Sequence, residues 1–393
     1  MRSRSQCAGV VVSSRAAVLS SLCLAPSLAA VADGAGQQLR YEERTRAMTS
    51  QAIEFAINGS QDTIHDTVEL WKQCDRGGVH TFGIPDSAIR STELYSSTTL
   101  CAVNTSKVRI MPCVTNPLTR HPSVTACGIA TLDALAPGRA ALGIATGDSS
   151  IWGVGMKPAR VEQLREYIVA VKGLLEGREV TYQGKTFRQH WERWRPSRHV
   201  PVYVACSGPK ILKMAAQVAD GVIVTMGFSD EDVAYVRGVI AEGCAEVGRD
   251  PRELDIWWNA YVVFAPSIEE AKNKSLGWSM SWLAMTTMEG KRIPEEYREK
   301  LERLTQDKHD INAVYANPDR HAVLVERSRE LGIHDWLLSR SPQIFGRPED
   351  IAKRMRELAA KGMPHWMFYI TGTKEARTTL VEKLTQGVIP RLR

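Results

Sequence analysis

Between residues 52 and 388 the chain alternates short apolar runs with longer segments of helical period, and no other feature narrows its possible folds so far. Apolar runs at 52–57, 80–84, 108–111, 140–145, 200–204, 221–225, 254–264 and 366–370 have the length and side-chain content of strands. Helical spacing follows at 63–77, 92–104, 123–135, 161–175, up to Ala219, 230–247, 347–361 and 374–388, as with Ile64, Val68, Trp71 and Cys74 in the first. Boundary signals agree, since Thr63 can cap the first helix, Gly78 can stop it, and Pro137 with Gly138 can turn the chain. Parallel strands need crossover helices, and right-handed crossovers wrap a sheet closed. Eight such steps therefore predict an α/β fold, a (β/α)8 TIM-type barrel. A doubly wound open sheet is the alternative. Residues 180–187 read as a surface hairpin turning at Gln183 and Gly184. After the seventh strand the chain swells into a helical insertion at about 275–339 that carries Trp278 and Trp282.

With 393 residues and 44% hydrophobic content the chain can bury a full core, and we assign the barrel to 48–393. Residues 1–47 differ in character, with Arg2, Arg4 and Arg15 punctuating a Ser/Ala/Val/Leu-rich run. That pattern fits a targeting-like or disordered segment, and it equally fits an over-extended start ahead of Met48. The net charge of +6 is not gathered into a basic block interleaved with aromatics, so no nucleic-acid partner is expected. No run after residue 47 is long and apolar enough for a membrane helix. Eight cysteines form no CxxC and no Cys/His spacing, so we expect no metal and a reducing, cytoplasmic setting.

In a barrel, the loops after the strands share one rim, and there the sequence concentrates its chemistry. The third strand ends in Val114-Thr-Asn-Pro-Leu-Thr-Arg-His-Pro122, the second in Asp86 and Ser87, the fourth in Gly147 and Asp148. Asp148 has the chemistry of a proton donor or acceptor, and equally of a helix N-cap; Asp86 carries the same ambiguity. His121 and Arg120 precede a helix entrance and fit capping as well as acid–base work. After the fifth strand, Ser207, Gly208 and Pro209 offer small residues and free N–H groups at a helix start, an arrangement suited to phosphate or to simple capping, with Lys210 solvated or beside it. The tryptophans at 191, 194, 257, 258, 278 and 282 suit core filling and, within the insertion, a lid over an apolar ligand. Walker, HExxH, nucleophile-elbow and dinucleotide-binding motifs are absent.

These motifs, with Gly143-Ile-Ala-Thr-Gly-Asp148, Ser207-Gly-Pro-Lys210, Ala219-Asp-Gly221 and Gly346-Arg-Pro-Glu-Asp350, make the chain resemble the luciferase-like superfamily of flavin and deazaflavin oxidoreductases. Within it the resemblance is to the methylenetetrahydromethanopterin reductase-like group, over about 53–393. The resemblance implies coenzyme F420 or FMN at the strand ends, a non-proline cis peptide between Cys113 and Val114, and ring contacts from Cys113, Val114, Thr115, Asn116, Gly147 and Asp148. It further implies phosphate contacts from Ser207, Gly208, Pro209 and Gly227, and a catalytic group among Asp148, Asp86 and Ser87. Many members have Asp-His where this chain has Asp86 and Ser87, which leaves the substrate open. The implied reaction is hydride transfer between coenzyme F420 and a small organic substrate, by a homodimer. The alternatives are a reduced-FMN monooxygenase and a non-catalytic flavin-binding barrel.

Overall fold

The computed structural model describes residues 52–191, 195–196, 198–274, 291–306 and 320–393. Eight parallel strands form the ring: β1 (Glu54–Asn58), β2 (Thr81–Ile84), β3 (Arg109–Pro112), β4 (Leu142–Ile144), β5 (Val202–Cys206), β6 (Gly221–Val224), β7 (Asp255–Phe264) and β8 (His365–Tyr369). Neighbours in the ring are neighbours in the chain, and β8 returns to pair with β1, matching Asn58 with Tyr369. The join between β3 and β4 is made by two parallel bridges, Ile110 to Ala140 and Thr115 to Ile144. A sheet closed in this order, each step passing through a helix, is the expected TIM-type barrel.

The connecting helices are α1 (Ile64–Gly77), α2 (Leu94–Asn104), α3 (Pro122–Leu135), α4 (Val161–Leu175), α5 (Pro209–Val218), α6 (Asp230–Ala245), α7 (Pro348–Ala360) and α8 (Lys374–Glu382). Their ends follow local chemistry. Thr63 accepts from the Asp66 N–H at the start of α1, which Gly78 ends in the left-handed region at φ 80°. Ser229 and Thr373 cap α6 and α8 in the same way.

Alternation along each strand divides the core into two layers. Phe55, Ile57, Phe82, Ile110, Val222, Trp258 and Trp366 face outward into the helices. Ala56, Met111, Cys113, Ala141, Tyr203, Ile223, Trp257 and Met367 form a separate cluster inside the ring. Burial of one large apolar side chain in the outer layer contributes about 1.5–3 kcal/mol, which is why both faces of these strands read as apolar.

Beyond the ring, the hairpin Val180–Tyr182 with Lys185–Phe187 turns at Gln183 and Gly184, both at positive φ. A strand not foreseen from sequence, Gln343–Gly346, pairs with the far half of β7 at Tyr261–Phe264. It is only four residues long, and β7 at ten residues outruns the ring. Within the expected insertion lie helices Glu295–Leu304, Arg320–Glu330 and His334–Ser339. Trp194, Trp278 and Trp282 fall outside the described residues, so the expected lid does too. Among the described residues no helix is long and apolar enough to cross a membrane, and no group of His, Cys, Asp or Glu could hold a metal ion.

Candidate active site at the strand ends

β2 and β3 end side by side, with Ile84 paired to Pro112. The peptide from Cys113 to Val114 is cis, as the resemblance implied, and the Cys113 carbonyl accepts from Asn58 Nδ2 at 2.9 Å. Close approach is possible because position 83 is glycine: a Cβ there would lie 2.8 Å from that of Cys113. Burial pushes the Cys113 thiol up to about 12, so it is no nucleophile at neutral pH.

Thr115 Oγ1 donates to Asp86 Oδ2 at 2.7 Å. Arg120 donates to both oxygens of the same carboxylate, at 2.6 and 3.2 Å, and the Asp86 side chain is only 8% exposed. A guanidinium fork and a hydroxyl on the same carboxylate fix where Asp86 stands. Asn116 Oδ1 accepts from the N–H groups of Leu118 and Thr119 and from Thr119 Oγ1. Those bonds fix which way the amide points, and its Nδ2 is left buried with no partner among the described residues. Ser87 Oγ is also buried without a partner among the described residues, while its carbonyl accepts from the N–H groups of Arg90 and Ser91. Unsatisfied polar atoms at two adjacent strand ends are costly in a folded protein unless a ligand completes them.

Gly147, after β4, has φ 103°, and a Cβ there would strike Ile151 Cγ1 at 2.3 Å. The Asp148 carbonyl accepts from the N–H groups of Ile151 and Trp152 in the short helix Ser149–Trp152, but its carboxylate makes no capping bond. Burial first, and then the Asp148 charge, push the Tyr261 phenol above its ordinary value, which sets the carboxylate near β7. Tyr261 stacks on Tyr369 at 5.8 Å. After β5, Gly208 stands at the N-cap of α5 with no side-chain cap and Pro209 in the first turn. A Cβ on Gly208 would meet none of the described residues within 4 Å. Gly227, after β6, is packed instead: a Cβ would lie 2.6 Å from Asp232 Oδ2 and 2.9 Å from the Arg340 carbonyl.

Direct bonds thus bring Asn58, Asp86, Cys113, Thr115 and Arg120 together, and the bridge from Thr115 to Ile144 adds β4. Ser207, Gly208, Pro209 and Gly227 stand on the same rim at the ends of β5 and β6. His121 lies outside the group: its ring caps α3 through the Ser123 N–H and packs on Tyr182 and Phe187 of the hairpin. Sequence reasoning missed Asn259, which donates to Thr225 Oγ1 at 3.0 Å and keeps its buried Oδ1 unpartnered. A lone amide inside the apolar run of β7 was the available signal.

The sequence model of the luciferase-like monooxygenase family matches residues 42–365. A 5,10-methylenetetrahydromethanopterin reductase of Methanolobus tindarius is 34% identical over 228 residues, covering 57% of this chain and 67% of that protein. An F420-dependent glucose-6-phosphate dehydrogenase of Beutenbergia cavernae is 29% identical over 303 residues, covering 74% of this chain and 80% of that protein. Among solved structures, the coenzyme F420-dependent tetrahydromethanopterin reductase of Methanopyrus kandleri shares the fold, with a TM-score of 0.65 at 22% identity over 87% of this chain and 100% of that one.

Proposed function

Because the chain belongs to the luciferase-like monooxygenase family, we propose that it is an oxidoreductase that binds coenzyme F420 or FMN in the barrel mouth and passes a hydride between F420 and a small organic substrate. The similarity to methylenetetrahydromethanopterin reductase favours that form of the reaction, and the family description keeps reduced-FMN monooxygenation as the second reading. When bound, a deazaflavin supplies two-electron transfer with little reactivity toward oxygen, whereas reduced FMN activates oxygen.

The residues present fit such a ring. Asn116 carries the argument, since its buried and oriented Nδ2 is a donor without a protein acceptor, suited to a carbonyl on a planar heterocycle. Ser87 Oγ, at the neighbouring strand end, offers a hydroxyl contact. The first turn of α5, with Gly208 at its N-cap and no side-chain cap, suits a phosphate through backbone N–H groups and the helix dipole. Asp148, which follows β4 and whose charge acts on Tyr261, is the group we assign to hold or accept a proton, and the stacked Tyr261 and Tyr369 keep water from that side of the ring.

We further propose that the working form is a cytoplasmic homodimer. The buried thiols of Cys74, Cys101, Cys113, Cys206 and Cys244 suit a reducing compartment. The outer faces of α2 and α3 suit a second copy, for they expose Val103, Val124 and Leu135 and flank a groove of about 610 Å³ lined by Tyr95, Cys127 and Gly128.

The test is a titration of the purified protein with each coenzyme, followed by oxygen uptake with the reduced complex. Tight F420 binding with slow uptake is expected, and Asn116→Asp, which keeps the acceptor for the turn but loses the donor, should weaken binding about tenfold. Rapid uptake with FMN would move the protein to the monooxygenase reading. Binding of neither coenzyme would end the proposal.

A further inference from the structure

Asp86 holds both ends of one loop. Its Oδ2 accepts from Thr115, near the loop's start, and its two oxygens take the guanidinium fork of Arg120, near the loop's end. Between those two points lies Asn116, whose amide oxygen closes the turn on Leu118 and Thr119 and whose nitrogen is the buried donor. Arg120 is held in turn from three sides. Besides Asp86, its Nη2 donates to Glu93 Oε1 at 3.4 Å, and its guanidinium lies over the Tyr95 ring at 5.3 Å from the centroid. The Tyr95 ring rests on α3, where only glycine fits: a Cβ on Gly128 would lie 2.3 Å from Tyr95 Cε1.

We infer that Arg120 is a positioning residue: with Asp86 it staples the 115–120 loop so that the Asn116 amide nitrogen is presented to the bound coenzyme. The inference rests on the coenzyme reading above and deepens it. A lysine would supply one point charge where the fork makes two directed bonds and stacks on a ring, so charge alone does not replace it. Thr115 serves the same staple from the other end through a single hydroxyl. Neither side chain needs to touch the ligand.

The experiment measures coenzyme dissociation constants for the wild type, Arg120→Lys, Thr115→Val, Thr115→Ser and Asn116→Asp, with urea unfolding midpoints alongside. Arg120→Lys and Thr115→Val should each weaken binding about tenfold, the loss expected for hydrogen bonds to a charged group. Thr115→Ser, which keeps the hydroxyl, should bind like the wild type. In the Asn116→Asp background Thr115→Val should cause no further loss, because the donor it positions is gone, whereas a general loosening of the fold would still add its own loss. If Arg120→Lys does not fold, the Thr115 variants decide the question. Weakened binding in Asn116→Asp with unchanged affinity in Thr115→Val and Arg120→Lys would overturn the staple and leave the coenzyme reading standing. No binding by the wild type would remove both.

Discussion

A side chain at Gly208 would enter open space, whereas one at Gly227 would collide with the Arg340 backbone and the Asp232 carboxylate. Gly208 has φ −125°, extended backbone that any residue adopts, so neither conformation nor packing within the protein requires glycine there. What remains is room for a ligand at the first turn of α5, and bulky replacements of Ser207 or Gly208 should weaken coenzyme binding while the urea midpoint stays within error. Gly227→Ala should do the reverse. Its Cβ must displace a buried ion pair, since Arg340 and Asp232 lie 3.0 Å apart with side chains 14% and 2% exposed, and overpacking of that kind costs roughly 1–3 kcal/mol. Measuring affinity and unfolding on both variants separates the roles. A Gly208→Val protein that binds as well as the wild type would remove position 208 from the phosphate site. The sequence displayed both glycines as equals, because it shows that a loop has no side chain but not what lies beyond the missing one.

Helices α2 and α3 pose a different question, since their sequences lack the charged face that a solvent-facing helix commonly has. α2 has no charged residue, and the one in α3, Asp133, is buried and accepts from the Gly138 N–H. Their exposed positions include Val103 at 64%, Val124 at 50% and Leu135 at 45%. A patch without charge meets its own copy across a two-fold axis with no like-charge repulsion, as an isologous interface requires. Val124→Asp should therefore convert a dimer to a monomer in sedimentation velocity, with an unchanged far-UV spectrum. A wild type that sediments as a monomer at micromolar concentration would refute the assignment. The positions of α2 and α3 were legible in the sequence, because helical spacing and a Pro at the start of α3 are local signals. The bond from Arg120 to Asp86 was not, as its partners stand 34 residues apart and each reads alone as an ordinary loop charge.

A second cluster of ionisable groups, apart from the Asp86–Arg120 pair, gathers inside the ring where the strands begin: Glu54, His80, Arg109, Tyr203, Asp255 and His365. The ring itself was readable from apolar runs, but this cluster draws on the starts of six strands and so had no local signature. Asp255 accepts from Tyr203, Trp257 and His365, and Trp257 lies between the rings of His80 and His365 at 5.6 and 5.2 Å. Burial, then the charges of Arg109 and His365, lower His80 to about 4. Burial alone would lower His365 as well, but its hydrogen bond and attraction to Asp255, with the charge of Glu54, outweigh that and raise it. The two histidines therefore act in opposite pH windows. His80 favours the folded state above its ordinary 6.5, and that contribution is lost as pH falls from about 6.5 toward 4, on the order of 2 kcal/mol after allowance for its partial exposure. His365 contributes fully below 6.5 and loses its contribution as pH rises through its raised value. Urea midpoints measured from pH 4 to 9 should thus fall on both sides of a maximum near neutrality. His80→Gln should flatten the acid limb, and His365→Gln should lower stability near pH 6 while flattening the alkaline limb. Parallel curves for the wild type and both variants would mean that this end of the barrel does not titrate with folding, and that the two charge states inferred from its geometry are wrong.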